Sequence, residues 1–390
     1  MRICLLSDFQ KTGGAAVAAD RLAHSFIEHG HEVHRISSED SHGITNGTIL
    51  EHTLFLGRKH LLWDQLCTLA GKRNWADRSK AREYCSQLNR LLQVIRPTFL
   101  NAHNLHGASW PFELIATCIA NIPTIWTLHD CWSFLGAYYP THSPTPKPDV
   151  ETSLDSFWKK IDASGQGHAL SAATPSEWMA RQAKASKWQN RIVSPIPNAH
   201  PCKTLNPVPK VSARRTLGLP EDKRIILSVA GDLSEERKGG PMLAKILRKA
   251  NKLNDEFIVV GNRPPNETRE EGVRFIDFVL DIRLMAILYS AADLLLHTAP
   301  IDNLPNTVAE SLRCGTPVAA FRAGGIPEMI EEKKTGWLVD EHKAEHMLAL
   351  LADTPQLQSS VNDIQGFSEE LFSEEIAVTS YISLFESLRR

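Results

Sequence analysis

Short apolar runs alternate with amphipathic stretches along almost the whole chain. The apolar runs predict buried strands, and the stretches with apolar residues at helical spacing predict helices between them. Parallel strands need a crossover connection, which is usually a helix. The alternation therefore predicts an α/β fold in which parallel sheets are covered by helices on both faces.

The predicted elements fall into two series. In the first half the predicted strands are 3–7, 32–36, 98–102, 124–128, 172–174 and 192–195, and the predicted helices are 16–29, 109–120 and 176–185. In the second half the strands are 224–229, 257–260, 273–275, 294–297 and 317–320, with helices 241–251, 282–291 and 307–313. An amphipathic stretch with no strand after it, 368–390, predicts a single terminal helix, and 140–149 predicts a surface loop.

A proline-rich segment divides the two series. Five prolines lie between residues 195 and 209, and proline fits neither a helix interior nor a central strand. A chain of 390 residues also suits two cores better than one. We therefore predict an N-terminal domain over 1–200, a C-terminal domain over 201–370 and a terminal helix over 371–390.

Composition narrows the classes of partner and compartment. Lys and Arg number 43 against 45 Asp and Glu, so there is no basic field to support a nucleic-acid partner. Seven scattered cysteines without a C-x-x-C pair predict reduced thiols in a cytoplasmic protein. The first apolar run is too short for a signal peptide, and no run approaches the roughly 20 residues of a membrane span.

The first half offers two candidate sites at the carboxyl ends of strands, where open parallel sheets bind ligands. Gly13 and Gly14 follow the first strand, and backbone amides at such a turn can approach an anion; a plain tight turn is the equal alternative. His129 follows the strand 124–128 and can hydrogen-bond a sugar hydroxyl, unless Asp130 satisfies it locally. His103 and His106 follow the previous strand, but no carboxylate or cysteine completes a metal set there.

The second half carries stronger signals. Arg237 and Lys238 precede a glycine pair that opens a helix, an arrangement that suits a diphosphate; the alternative is a solvated turn in which Glu235 and Glu236 pair with the cations. Asp302 and Glu310 bracket a loop and a helix start. The stretch between them, Asn303, Leu304, Pro305, Asn306 and Thr307, presents backbone N–H groups to a ligand at the helix N-terminus. The alternative is a plain N-cap by Asn306 or Thr307.

Together these segments resemble the GT-B glycosyltransferases of family 4, most closely those of colanic acid and exopolysaccharide biosynthesis. The matching sequence motifs span nearly the whole chain: TLHDCWSF (127–134), TPSEWMA (174–180), IPN (196–198), ERKGG (236–240), DNLPNTVAESLRCGTPVAAF (302–321), GGIPEMI (324–330) and TGWLV (335–339). The resemblance implies two Rossmann-like domains facing across a cleft, with the terminal helix crossing back to the first domain.

The resemblance also implies retaining transfer of a hexose from a nucleoside diphosphate sugar to a polysaccharide or glycolipid acceptor, with no metal and no other cofactor. Lys238, helped by Arg237, would neutralise the leaving diphosphate. Glu310 would hold the ribose and Asp302 a hydroxyl of the donor sugar. The loop 303–307 would offer amides to phosphate and sugar, Gly13 and Gly14 would leave room for the diphosphate, and His129 would contact the transferred sugar.

Two positions depart from the family pattern. The first acid is Asp302 where the family has Glu, and Asp232 stands where the family usually has Arg. The departures keep open the alternative of a non-catalytic nucleotide-sugar-binding protein. Another enzyme class on the same architecture, a nucleotide-sugar epimerase or a phosphorylase-type enzyme, is a second alternative.

A basic and apolar segment, 58–82, suggests a further partner. It carries seven basic residues against two Asp, interleaved with leucines and tryptophans. Such a segment suits docking on an anionic membrane that holds a lipid-linked acceptor, although most such stretches are ordinary amphipathic surface. The expected location is the cytoplasm, with peripheral contact on the inner face of the plasma membrane.

Overall fold

The computed structural model describes residues 1–39, 49–70, 73–141, 148–201, 203–250, 253–262 and 272–389. Within these residues the chain forms two parallel sheets, each packed between helices. We call the first sheet with its helices the first unit, and the second sheet with its helices the second unit.

The first unit has a sheet in the order β3-β2-β1-β4-β5-β6-β7, with every pairing parallel. Its strands are β1 (Arg2–Leu6), β2 (Glu32–Ser37), β3 (Ile49–Thr53), β4 (Phe99–Ala102), β5 (Thr124–Thr127), β6 (Leu170–Thr174) and β7 (Val193–Pro195). Its helices are α1 (Gly14–Glu28), α2 (Arg58–Leu69), α3 (Arg73–Ile95), α4 (Glu113–Asn121), α5 (Trp132–Leu135), α6 (Pro148–Ala163) and α7 (Glu177–Lys184).

The second unit repeats this architecture with a sheet in the order β10-β9-β8-β11-β12-β13. Its strands are β8 (Ile225–Asp232), β9 (Glu256–Asn262), β10 (Val273–Ile276), β11 (Leu294–His297), β12 (Val318–Phe321) and β13 (Gly336–Val339). The helices after the linker are α8 (Lys210–Leu217), α9 (Gly240–Ala250), α10 (Ile282–Ala291), α11 (Asn306–Arg313), α12 (Ala344–Ala352), α13 (Val361–Phe372) and α14 (Glu374–Ser387).

The two sheets reverse their strand order at equivalent points. Strand order reverses between β1 and β4 in the first sheet, and between β8 and β11 in the second. Loops at such a switch point part to opposite faces of the sheet and leave a crevice beyond the strand ends. The candidate residues after β1, β8 and β11 therefore all lie at a switch point.

Burial on both faces explains why the strands are continuous apolar runs. In β1, Ile3 and Leu5 pack into the cluster beneath α1, whereas Cys4 and Leu6 pack into the cluster on the opposite face. Strands covered on both sides have no solvent face and so no polar alternation. The sequence pattern and the observed core agree at this strand.

The terminal helix α14 returns to the first unit, as the family resemblance implies. The Tyr381 hydroxyl lies 2.8 Å from Thr127 Oγ1 on β5, and the ring of Phe385 stacks on Phe99 of β4 with centroids 4.3 Å apart. The preceding helix, α13, packs instead on α11 of the second unit. The chain therefore crosses between the units near Ser373.

Several sequence predictions of elements need correction. The single helix over 368–390 is wrong, because Ser373 caps a new helix by accepting a hydrogen bond from the Ile376 amide. The loop over 140–149 lies partly outside the described residues, and its last two residues begin α6, where proline is tolerated at the first helical position. Strands β3 and β13 and helices α2, α3, α5, α6, α8 and α12 lie outside the predicted elements, and α13 overlaps the predicted terminal helix only over residues 368–372. Among the described residues, no helix combines the length and the apolarity needed to cross a bilayer.

Candidate active site

The glycine turn after β1 faces the start of α11 across a cleft between the two units. Gly13 has φ +93°, a conformation that glycine adopts without strain, and Gly14 is the first residue of α1. The side-chain amide of Asn306, at the first position of α11, donates to the carbonyl of Gly14 at 3.1 Å. The structure thus brings the two predicted backbone sites, one from each unit, into contact.

Asp302 is the centre of a charged cluster on the second unit. Only 6% of this residue is exposed. Lys238 Nζ lies 3.1 Å from its Oδ2, and the Tyr139 hydroxyl from the first unit donates to its Oδ1 at 3.1 Å. The backbone amide of Asn303 also donates to Oδ1, at 2.8 Å. Both oxygens of this buried carboxylate are therefore satisfied, as burial of a charge requires.

The pKa of Asp302 is lowered from its ordinary value. Burial alone raises the pKa of the carboxyl, but the positive charge and hydrogen bond of Lys238 outweigh this effect. Asp302 is thus ionised at neutral pH, and Lys238 is held where it can meet an anion. Lys238 and Asp302, each predicted separately as a site residue, thus meet in the folded chain although 64 positions separate them.

Arg237 takes a different direction from Lys238. Its Nη2 lies 2.7 Å from Glu235 Oε2, and its guanidinium stacks over the Tyr138 ring at 4.7 Å from the centroid. The pairing with Glu235 is the one that the solvated-turn alternative requires, so that alternative describes Arg237 in this structure and does not describe Lys238. Asp232 accepts hydrogen bonds from the amide and the hydroxyl of Ser234, which lower the pKa of its carboxyl.

Glu310, the second predicted acid, is held by a residue from each unit. Its Oε1 lies 2.5 Å from Arg21 Nη2 on α1, and its Oε2 accepts from the Tyr289 hydroxyl on α10 at 2.7 Å. Arg21 Nη1 also lies 2.8 Å from His200 Nδ1 in the linker. Because Glu310 is 8% exposed, its charge depends on these partners.

The loop between the two acids docks on the first unit. Asn303 accepts a hydrogen bond from Ser176 Oγ at 2.5 Å and donates to the carbonyls of Leu128 and His129 at 3.2 and 3.1 Å. Asn306 and Thr307 are the first two residues of α11, and Pro305 is its N-cap residue. The plain N-cap alternative for Asn306 or Thr307 is therefore wrong. Leu304 is buried in the core of the second unit.

His129 lies at the cleft edge of the first unit, beyond β5. Its Nε2 is 2.9 Å from His103 Nδ1, and the two rings stack with centroids 5.2 Å apart. Asp130 instead faces His106, with Oδ2 and Nε2 3.4 Å apart, so the local pairing of His129 with Asp130 is wrong. Burial lowers the pKa of His129 to about 4, which makes the imidazole neutral at pH 7.

Four residues in or beside this cleft escaped the sequence analysis: Arg21, Tyr139, Tyr289 and His297. His297 ends β11 beside Asp302 and Lys238, and among the described residues its Nε2 has no hydrogen-bond partner. The rule that selected His129, a histidine at the carboxyl end of a strand, also selects His297. For Arg21 and the two tyrosines no local signal exists, because their contacts arise from packing between distant segments.

Comparison with known proteins identifies the family. A model described as Glycosyltransferase Family 4 matches residues 12–202, and one described as Glycosyl transferases group 1 matches residues 224–353. The chain belongs to the GT-B glycosyltransferases.

Two curated relatives match part of this glycosyltransferase. The D-inositol 3-phosphate glycosyltransferase of Thermobispora bispora is 30% identical over 166 residues, which cover 38% of each chain. The amylovoran biosynthesis glycosyltransferase AmsK of Erwinia amylovora is 29% identical over 140 residues, 35% of this chain and 32% of that one. The matches thus span well under half the length of these relatives.

Solved structures extend the likeness to the whole glycosyltransferase fold. Sucrose-phosphate synthase from Thermosynechococcus elongatus has a TM-score of 0.73 at 16% identity, over 99% of both chains. HepE from Anabaena in complex with UDP has a TM-score of 0.67 at 18% identity, over 98% of this chain and 99% of that one. The predicted fold, two α/β units facing across a cleft with a returning terminal helix, is confirmed.

Proposed function

We propose that this glycosyltransferase transfers a hexose from a nucleoside diphosphate sugar to a polysaccharide or lipid-linked sugar, with retention at the anomeric carbon and without a metal ion. The observation that carries the proposal is the convergence of Lys238, the start of α11 and the Gly13–Gly14 turn on one cleft. The HepE structures, which hold UDP and UDP-glucose, support a nucleotide donor.

The diphosphate would lie between the two units. The Lys238 ammonium and the amide groups that begin α11 offer positive charge at one end of the cleft. The turn at Gly13 lacks a side chain and leaves the facing side open, since a Cβ built there meets nothing within 4 Å. Fixed positive groups stabilise the charge that develops as the diphosphate leaves, which is the main requirement for this transfer.

The sugar and the ribose would be held by the two acids. Asp302 and the neutral imidazole of His129 stand on opposite sides of the cleft and can accept or donate hydrogen bonds to the transferred hexose. Glu310 can accept from ribose hydroxyls, because each carboxylate oxygen has two lone pairs and one partner uses only one of them. Expelling water from the closed cleft protects the donor from hydrolysis.

In the transfer step, the bond between the anomeric carbon and the phosphate oxygen breaks as the acceptor oxygen bonds to that carbon. The acceptor hydroxyl loses its proton to the departing phosphate oxygen. Because the diphosphate is a good leaving group, this scheme requires no carboxylic acid on the protein. The proposed reaction differs in this respect from glycoside hydrolysis, in which two carboxylates flank the bond.

The test is a transfer assay with UDP-, GDP- and ADP-glucose as donors and an alkyl glucoside as acceptor, with and without EDTA. We expect release of nucleoside diphosphate that increases with acceptor, an α-linked product by proton NMR and no effect of EDTA. A β-linked product would contradict retention, and loss of activity in EDTA would contradict metal independence. Full conversion of the donor sugar without acceptor would indicate an epimerase, and binding of UDP without any turnover would indicate a binding protein.

We also propose that the protein docks on an anionic membrane through a surface formed by α2 and the start of α3. Leu62, Trp63, Leu66, Leu69 and Trp75 expose between 44% and 86% of their area. The basic residues Arg58, Lys59, Arg78, Lys80 and Arg82 lie in the same two helices. Helix α2 begins soon after the carboxyl end of β3, so the exposed apolar residues extend from the cleft edge of the sheet. Apolar side chains among cations suit the interface of an anionic bilayer.

Flotation with vesicles tests this surface. We expect the protein to float with phosphatidylcholine vesicles that contain phosphatidylglycerol, and to float less with pure phosphatidylcholine or at high salt. Replacing Leu62 and Leu66 by Glu should abolish flotation and leave turnover of a soluble acceptor unchanged. Equal flotation of that variant would contradict the proposal.

A further inference from the structure

A carboxylate of the second unit caps a helix of the first unit. Glu328 lies in a short turn after β12, at the carboxyl edge of the second sheet. Its Oε2 accepts from the backbone amide of Glu177 at 2.7 Å, and its Oε1 accepts from the amide of Trp178 at 2.6 Å. These are the first two residues of α7 in the first unit.

Glu328 completes a set of hydrogen bonds that α7 cannot provide for itself. The first amides of a helix have no partner within the helix. The side-chain hydroxyl of Ser176, the N-cap residue, accepts from the Met179 amide at 3.1 Å. The two amides before it, of Glu177 and Trp178, are satisfied by Glu328, whose negative charge also suits the positive end of the helix. The cap of α7 is thus divided between the two units.

The turn that carries Glu328 is packed against the loop that begins at Asp302. A Cβ at Gly324 would lie 2.0 Å from the Asp302 carbonyl oxygen. A Cβ at Gly325 would lie 1.9 Å from the Asn303 carbonyl oxygen and 2.8 Å from Ser176 Cβ. The glycines that precede Glu328 therefore let the loop of Asp302 and the start of α7 approach each other closely. The turn that carries Glu328 is thus in direct contact with both the loop of Asp302 and the start of α7.

We propose that Glu328 is a positioning residue that holds the cleft closed by capping α7 across it. The inference rests on the proposed function, because closure matters there by setting Asp302 and Lys238 against the first unit and by excluding water. When Glu328 releases α7, the amides of Glu177 and Trp178 return to solvent and the two units separate at this edge. Glu328 touches no reacting atom in this proposal.

Glu328→Gln removes the charge and one acceptor oxygen while keeping the shape. Its matched control is Glu331→Gln, which neutralises an exposed carboxylate three residues away that pairs only with Lys334 of the same unit among the described residues. Hydrogen exchange followed by mass spectrometry measures the protection of the two amides of α7. Small-angle scattering measures the radius of gyration, which increases when the units separate. Both measurements need no donor and no acceptor.

We expect exchange at residues 177 and 178 to be roughly fivefold faster in Glu328→Gln, since losing a helix cap costs about 1 kcal/mol. We also expect a larger radius of gyration, with Glu331→Gln equal to wild type in both measurements. Thermal unfolding checks that the variants are folded. Unchanged exchange at these two amides, or an unchanged radius of gyration, overturns the proposal.

A second variant removes a donor of the same contact on the first unit. Glu177→Pro removes one of the two donor amides, and proline is tolerated at the first position of a helix. The residue before it, Ser176, is already extended with φ −133° and ψ 157°, as a residue before proline must be. We expect this variant to open the cleft, and adding Glu328→Gln to it should change scattering little further. Fully additive effects of the two substitutions would show that they act at separate contacts and would overturn the proposal.

Steady-state turnover distinguishes a positioning role from a purely structural one. In Glu328→Gln we expect kcat to fall about tenfold with the donor KM nearly unchanged, and the share of donor hydrolysed by water to rise. If wild type transfers no sugar from any donor, the proposed function fails while the exchange and scattering results still decide the role of Glu328.

Discussion

Two buried carboxylates in the cleft, Asp302 and Glu310, are satisfied in opposite ways. The partners of each include one cation and one tyrosine hydroxyl. The cation of Asp302 is Lys238 from its own unit, and its tyrosine comes from across the cleft. The cation of Glu310 is Arg21 from across the cleft, and its tyrosine comes from its own unit.

Because of this difference, we expect Asp302 to act in the chemical step and Glu310 to respond to closure of the cleft. The charge of Asp302 is balanced within the second unit, so its pairing with Lys238 persists when the cleft opens. The charge of Glu310 is balanced by a cation only while the two units are together. In the proposed function, Asp302 and Lys238 would form a site that is ready before the donor binds, whereas Glu310 and Arg21 would link the predicted ribose site to the position of the first unit.

The largest expected effect comes from breaking the pair that spans the cleft. Arg21→Met leaves Glu310 buried without its cation, and removing one partner of a buried pair costs about 3–5 kcal/mol. Because opening the cleft hydrates Glu310, we expect the loss to appear as a shift toward the open form, measured by small-angle scattering. Adding Glu310→Gln removes the uncompensated charge and should restore the closed form; a double variant as open as the single one would contradict this account.

The pair within the second unit should affect chemistry and leave closure intact. Lys238→Met removes the cation beside the leaving diphosphate, and losing one such stabilising group costs about 2.7–4 kcal/mol, or 10²–10³-fold in rate. We expect kcat/KM to fall by that factor with scattering unchanged. Lys249→Met removes an exposed lysine paired with Glu345 and serves as the control. A scattering change in Lys238→Met equal to that of Arg21→Met would remove the distinction between the two acids.

A pH effect is expected on the Asp302 side. Burial lowers the pKa of His297 to about 4, whereas an unfolded histidine has a pKa near 6.5. Because the folded protein disfavours the charged imidazole, stability is lost as pH falls from about 6.5 to 4, by at most about 3 kcal/mol. In denaturant unfolding across this range, His297→Gln should show a smaller loss than wild type. His346→Gln, at an exposed histidine, should behave like wild type, and an equal pH slope in His297→Gln would contradict the assignment.

The smallest effect is expected from the tyrosine that crosses to Asp302. Tyr139→Phe removes one hydrogen bond from a carboxylate that keeps Lys238 and the Asn303 amide. A hydrogen bond to a charged group contributes about 1.5–3 kcal/mol, and the remaining partners place the loss at the lower end, roughly tenfold in kcat/KM. Steady-state kinetics tests this; a loss as large as that of Lys238→Met would mean that Tyr139 acts on the substrate itself.

Much of the fold was predictable because both faces of the central strands are buried. The apolar run of β1 is explained by its two-sided packing, and the rule that ligands bind beyond the carboxyl ends of parallel strands leads from such strands to Gly13, His129 and Lys238. Strand β3 was missed because only Ile49 is buried in it, so Ile49–Thr53 carries no apolar run. The terminal helix was drawn too long because a serine cap inside an amphipathic stretch is a weak signal.

The pairing within the site was less accessible to sequence reasoning. Lys238 and Asp302 were both selected, but their contact depends on how the loops after β8 and β11 lie side by side. Arg21 and Glu328 sit on a helix face and in a turn that look like ordinary surface, and they gain a role only because another unit packs against them. Contacts made between units leave no local pattern in the chain.

The two connections between the units are joined to each other. The His200 amide in the linker donates to the Phe372 carbonyl at 3.0 Å, just before the chain returns at Ser373. The outgoing and returning segments thus form one pivot, and the final helix belongs to the half that the chain began with. A chimera that exchanges the second unit with that of a relative must accordingly be cut at two neighbouring points, near 200 and near 373, and must retain the last helix of the recipient. A single crossover would graft a foreign helix onto Phe26, Phe99 and Thr127.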